Sequence, residues 1–266
     1  MPVFDFGRMI QGLRGAAREQ MLVAMLATIP RLLRHDVWRT AKKEQGRGLG
    51  VLLVPGFGCG DRTLTLTRQW LRTRGYRPAG ARIGLNIGCT TELVHRIEKR
   101  LEGHAEHTGG PVVMLGQSRG GWLARIVAVR RPELVRGLVL LGSPVLDPLG
   151  VRASVVRTAR MLTRLSSFGL RGFLNDDCFD GDCYQDSTAA LNAPLPAGIP
   201  AVAVYSRVDG VVPWRLCQDP CAECVEIHSS HTAMALHPDF YRILEPRLAS
   251  WAADRGATAR LSRRSA

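Results

Sequence analysis

Ser118, Asp209 and His231 are the residues of this chain whose types and order could carry nucleophilic attack on a carbonyl carbon. Ser118 stands in Gly116-Gln117-Ser118-Arg119-Gly120, where the apolar run Pro111-Val112-Val113-Met114-Leu115 stops and a helical pattern starts near Gly121-Trp122-Leu123-Ala124. A serine at such a strand-to-helix turn is held in strained geometry with its hydroxyl above the sheet. Glycines flank it because a Cβ there would collide with neighbouring backbone. The hydroxyl is a poor nucleophile by itself, so a base must take its proton.

Two later segments offer that base and its partner. Asp209 follows the apolar run Ala201–Tyr205 in Ser206-Arg207-Val208-Asp209-Gly210, and His231 follows Cys224–Ile227 in His228-Ser229-Ser230-His231. In this order, each residue just past a later strand, His231 serves as general base while Asp209 fixes its tautomer and stabilises the imidazolium. Backbone N–H groups of Phe57, in the turn after the first strand, and Arg119, opening the helix after the serine, are the candidate oxyanion donors. Loss of one such donor costs on the order of 3 kcal/mol. Asp147 is the rival acid, His228 the rival base, and His237 is expected to cap or flank the last helix. Beside these stand plainer readings: a structural turn serine, a surface turn aspartate, an edge histidine.

Positioning these groups requires strands that end where they begin. Val51–Val54 reads as a buried strand ending at Pro55-Gly56-Phe57-Gly58-Cys59-Gly60, after which Asp61 is expected to cap a helix to about Arg74. Arg77–Ile83 reads as a short strand, Thr90 or Thr91 opens a helix to about Leu101, and strands follow at Val112 and Leu138–Leu141. The strands are apolar throughout rather than alternating, so both faces should be covered, as in a parallel sheet with helices on either side and its site at the strands' C-terminal ends.

Around this body the expected organisation is a helical segment over residues 1–48, broken near Pro30, the α/β domain over 49–253, and a frayed basic tail over 254–266. Residues 147–198 hold no strand pattern but an amphipathic stretch through Val151, Val155, Ala159 and Leu162, followed by the acidic loop Asn175–Cys183; this insertion reads as a lid. The net charge of +13 rests on arginine, only Lys42, Lys43 and Lys99 being lysines. No basic run interleaves with aromatics, so nucleic acid is not an expected partner; peripheral membrane contact through the basic amphipathic N-terminal segment is the alternative to a helix packed on the flank. The run Met21–Pro30 is too short to span a bilayer and has no cleavage signature, which makes the cytoplasm the expected location. Seven cysteines cannot all pair within one chain. Free thiols are the default, with a Cys178–Cys183 disulfide, a structural zinc or an aspartate-held calcium as alternatives; no metal or cofactor is expected at the site.

The chain resembles the α/β-hydrolase superfamily, and within it the small lipase/esterase-like members, through Val54-Pro55-Gly56-Phe57-Gly58, Gly116-Gln117-Ser118-Arg119-Gly120-Gly121, Leu140-Leu141-Gly142-Ser143-Pro144, Asp209-Gly210-Val211-Val212-Pro213 and Ser230-His231. It departs from them in having Pro55-Gly56 where many relatives have His-Gly, and Thr232-Ala233-Met234 after the histidine. The resemblance covers about residues 49–253 and implies a reduced, mostly parallel sheet of about six strands with helices on both faces and a short helical lid. It further implies a serine hydrolase cleaving a small-molecule carboxylic ester, with an apolar acyl group expected from the lid helix. An acyltransferase using the same residues, or a non-catalytic binding protein of the same fold, are the alternatives, because this fold hosts many chemistries.

Overall fold

In the computed structural model, residues 28–167 and 172–264 are described. Six strands form one sheet, all neighbours parallel: β1 (Gly50–Val54), β2 (Arg77–Gly80), β3 (Val112–Gln117), β4 (Val135–Leu141), β5 (Ala201–Tyr205) and β6 (Glu223–Glu226), in the order β2-β1-β3-β4-β5-β6. Side chains alternate between two cores. Val51, Leu53, Val113, Leu115, Val139 and Val202 pack with the helices Thr65–Thr73 (α3) and Pro238–Arg264 (α9) on one face. Leu52, Val54, Met114, Leu138, Leu140 and Ala203 pack on the other, with Thr90–Thr108 (α4) and Arg119–Arg130 (α5). Because each face is covered, the inner strands β1, β3, β4 and β5 read as largely apolar runs, as the sequence predicts, whereas the edge strands β2 and β6 carry charged, exposed residues.

Before the sheet, residues 28–34 (α1) and Asp36–Arg39 (α2) are helical. The break falls at His35 rather than Pro30: His35 Nδ1 accepts the Val37 N–H at 3.1 Å and so caps α2. The most N-terminal part of the basic segment lies outside the described residues. Other expectations need correction: β2 ends at Gly80 rather than Ile83, and the helix opened by Thr90 runs to Thr108 rather than about Leu101. Asp61 does not cap α3; it opens a 3-10 turn (Asp61–Leu64), and its Oδ2 accepts the Arg82 N–H at 3.2 Å. Residues 254–264, expected to fray, continue α9 to Arg264.

The segment between β4 and β5 contains no strand among its described residues but three helices: α6 (Ala153–Ser167), α7 (Asp177–Asp180) and α8 (Asp182–Asn192). The acidic stretch read from the sequence as a loop is therefore mostly helical, with Asp177 and Asp182 in first turns, where the helix dipole favours a carboxylate. A buried ion pair fixes the base of this segment to the body. Arg125 Nε on α5 lies 2.5 Å from Asp219 Oδ2 in the β5–β6 connection, and its other nitrogens donate to the carbonyls of Ala190 and Ala193 at 3.2 and 3.0 Å.

Candidate active site

Ser118 joins β3 to α5 with φ +52° and ψ −124°, a conformation that costs a non-glycine residue about 1–3 kcal/mol and persists only where its surroundings enforce it. They do: the Ser118 N–H donates to Leu141 O of β4 at 2.8 Å, and its carbonyl accepts the Gly121 N–H at 2.9 Å. The two glycines of the turn are required by contact. A Cβ at Gly116 would lie 2.3 Å from the Gly120 carbonyl oxygen, and one at Gly120 would lie 2.3 Å from that of Val54.

Asp209 and His231 stand at the C-terminal ends of β5 and β6, and their side chains meet: His231 Nδ1 is 2.7 Å from Asp209 Oδ2. The Asp209 carboxylate is 1 % exposed, and its other oxygen accepts the N–H groups of Val211 and Val212 at 2.7 and 2.9 Å. Gln117, the neighbour of Ser118, donates from Nε2 to His231 O at 3.4 Å, which brings the histidine's backbone to the Ser118 turn. Beneath the ring runs Gly142, where a Cβ would sit 3.3 Å from His231 Nδ1 and 2.9 Å from Met234 Sδ. Ser206, buried at the end of β5, accepts the Ser229 and Val208 N–H groups at 3.2 and 3.3 Å and so ties the loop of the aspartate to that of the histidine. Asp147 and His228 are both exposed; Asp147 Oδ1 accepts the Leu149 N–H in its own turn at 3.0 Å.

At the other side of Ser118, the turn after β1 carries Phe57. Among the described residues, neither the Phe57 nor the Arg119 N–H donates to a turn or loop carbonyl. Asn86, fully buried, braces this turn: its Nδ2 donates to Pro55 O at 2.8 Å, its carbonyl accepts the Gly58 N–H at 3.0 Å, and its N–H donates to Cys59 O at 2.9 Å. Arg119 has a second part beyond its amide. Its buried guanidinium reaches Asn86 O at 3.3 Å, Gly88 O at 2.8 Å and Thr90 Oγ1 at 3.2 Å, and it lies over the rings of Phe57 and Trp122. Burial pushes this group down to about 10, opposed by the thiols of Cys178, Cys89 and Cys183. Nothing in the sequence marks Asn86 or the Arg119 side chain as bracing groups, because their partners are mostly backbone carbonyls.

Ser118 opens onto a pocket lined by Phe57, Trp122, Leu149, Val155, Ala159 and Phe179, so α6 and α7 supply one wall and the body the other. Leu85, Leu146, Met161 and Val208, four of the five large apolar side chains exposed among the described residues, lie in loops at the strands' C-terminal ends or on α6.

No family model matches the chain. Its fold is similar to that of the mature lipase BlEst2 of Bacillus licheniformis, with a TM-score of 0.58 and 13% identity over 76% of this chain and 92% of the lipase. The monoacylglycerol lipase of Paleococcus ferrophilus gives 0.53 and 16% over 76% and 94%. By sequence, the chain is 23% identical over 191 residues to the mouse (Mus musculus) mitochondrial palmitoyl-protein thioesterase ABHD10, and 22% over 190 residues to its rat (Rattus norvegicus) counterpart. The match takes in 65% of this chain and spans 63% of the relatives' length.

Proposed function

We propose that this chain, which has the α/β-hydrolase fold, is a serine hydrolase that cleaves esters or thioesters of an apolar acyl group. The reading is carried by one observation: His231 Nδ1 lies 2.7 Å from a carboxylate that two further N–H groups hold in place, at the sheet end where Ser118 stands strained. In the proposed mechanism Ser118 Oγ attacks the acyl carbonyl, His231 takes its proton and returns it to the leaving oxygen or sulfur, and a water activated by His231 then releases the acid. Asp209 keeps the His231 proton on Nδ1, so that Nε2 is free to act as base. The Phe57 and Arg119 N–H groups receive the oxyanion in both half-reactions.

The apolar lining beneath α6 supports an acyl group that prefers oil to water. The likeness to ABHD10 supports a thioester as one form of substrate, and the likeness to lipases supports an oxygen ester. Among the described residues no helix is long and apolar enough to cross a membrane; the segment between β4 and β5 acts as the lid, and a cytoplasmic location is part of the same proposal. A fluorophosphonate probe tests the reading: it labels the wild type at Ser118 and fails to label Ser118→Ala. Hydrolysis of p-nitrophenyl esters and acyl thioesters of increasing chain length then ranks the leaving atom and the acyl group. Labelling of Ser118→Ala equal to that of the wild type, or no turnover of any ester or thioester, defeats it.

A further inference from the structure

Cys89, Cys178 and Cys183, separated by up to 94 residues in sequence, converge beside the candidate site. Cys89 sits at the N-cap of α4 in the body, whereas Cys178 lies in α7 and Cys183 in α8, within the segment that walls the pocket. Their sulfurs all lie within 4.8 Å of one another: Cys183 Sγ is 3.5 Å from Cys178 Sγ and 3.8 Å from Cys89 Sγ. All three are free thiols, two of them buried. A tetrahedral ion with thiolate ligands at about 2.3 Å sets its sulfurs about 3.8 Å apart, so two of the three spacings already match the corners around a zinc-sized ion and the third lies within 4.8 Å. The remaining corner falls to water.

The surroundings suit an anionic cluster. Cys89 lies at the positive end of a helix of 19 residues. Thr91 Oγ1 donates to Cys183 Sγ at 3.3 Å, the kind of outer hydrogen bond that orients a metal ligand. The buried Arg119 guanidinium contacts only carbonyl oxygens, a hydroxyl and aromatic faces, with no carboxylate among the described residues. A divalent ion bound by three thiolates carries one net negative charge and so supplies the counter-charge that this cation lacks.

We propose that Cys89, Cys178 and Cys183 bind one thiophilic divalent cation of the zinc class, clamping the lid segment to the body beside Arg119. Binding displaces three thiol protons to solvent and forms three metal–sulfur bonds with no change of oxidation state. The ion stands outside the acyl-transfer chemistry and is tested by its own signals. The reduced full chain, stripped with a chelator, is titrated with Cd2+ and followed by ultraviolet thiolate-to-metal charge-transfer absorption, and its thermal midpoint is measured with and without Zn2+. One equivalent per chain is expected, with a higher midpoint in Zn2+. Cys89→Ser should weaken binding by on the order of a hundredfold or more and remove the Zn2+ shift while keeping the metal-free midpoint, whereas the double variant Cys221→Ser/Cys224→Ser should bind as the wild type does. Absence of the absorption in the reduced wild type, its full retention in Cys89→Ser, or its loss in the Cys221→Ser/Cys224→Ser variant overturns the site. Fluorophosphonate labelling of Ser118 in the metal-free chain reports separately on the proposed hydrolase.

Discussion

Replacing Asp209 by asparagine tests the proposed mechanism with almost no change of shape. The wild-type carboxylate uses both oxygens: Oδ1 accepts two N–H groups, from Val211 and Val212, and Oδ2 faces His231 Nδ1 at 2.7 Å. An asparagine has one oxygen and one donor nitrogen, so only one side can be satisfied. If the oxygen faced His231, the amide nitrogen would oppose two backbone donors, leaving buried groups unpaired at about 1–3 kcal/mol each. The favoured orientation therefore keeps the oxygen on Val211 and Val212 and points N–H at His231 Nδ1. That forces the imidazole proton onto Nε2, the atom that must receive the Ser118 proton. A wrong tautomer at an otherwise intact site of this type lowers kcat by about 10⁴-fold, equivalent to about 5.5 kcal/mol of barrier. Steady-state hydrolysis of a p-nitrophenyl ester by Asp209→Asn, at matched thermal midpoint, reads this directly, with Asp147→Asn as control. Activity of Asp209→Asn within tenfold of the wild type, or an equal loss in Asp147→Asn, refutes the reasoning.

Other outcomes follow from particular contacts. Gly116→Ala should lower stability by at least about 2 kcal/mol, since its Cβ meets Gly120 backbone at 2.3 Å and nothing flexible can yield; denaturant titration measures it. Asp219→Ala leaves Arg125 buried without its carboxylate and should cost about 3–5 kcal/mol by the same assay, while a co-substitution of Arg125 by methionine should recover part of that loss. His104, buried in α4 with Nε2 against Arg77 O at 2.9 Å, is held below the ordinary histidine range by burial. The folded state thus binds its proton less readily than the unfolded chain, and stability falls as pH drops below about 6.5. Thermal midpoints between pH 7.5 and 5.5 should fall less in His104→Gln than in the wild type.

The inner strands are legible because both of their faces are buried: Ala201–Tyr205 agrees to the residue, and β3 agrees at its start. The start of β4 is not, since Arg136 and Gly137 interrupt its apolar run before Leu138 while Gly137 is packed against Trp251. In sequence the 147–198 region shows only an amphipathic helix and a loop; α7 and α8 leave no pattern there because helices of this length owe their stability to packing on Cys178, Phe179 and Cys183. At the candidate site, Ser118, Asp209 and His231 were visible as a motif and an order, and the structure brings the last two into contact. Asn86, Ser206 and the Arg119 side chain were invisible, because a group that bonds to carbonyls and N–H groups leaves no partner residue type to recognise. Cys89 was equally hidden, as no spacing rule joins it to a pair about 90 residues downstream.

The buried pair of Arg125 and Asp219 also orders events during synthesis. A ribosome releases α5, with its guanidinium committed to the interior, long before it releases the carboxylate 94 residues later or the Ala190 and Ala193 carbonyls that share it. Until then the guanidinium on the helix behind Ser118 lacks the carboxylate that it meets in the folded chain. Once the stretch through Asp219 has emerged, only β6, the His231 loop and α9 remain to be made. The contact that anchors α5 behind Ser118 is thus completed by a residue that lies in sequence between Asp209 and His231, so the two sides of the candidate site share the last part of the chain.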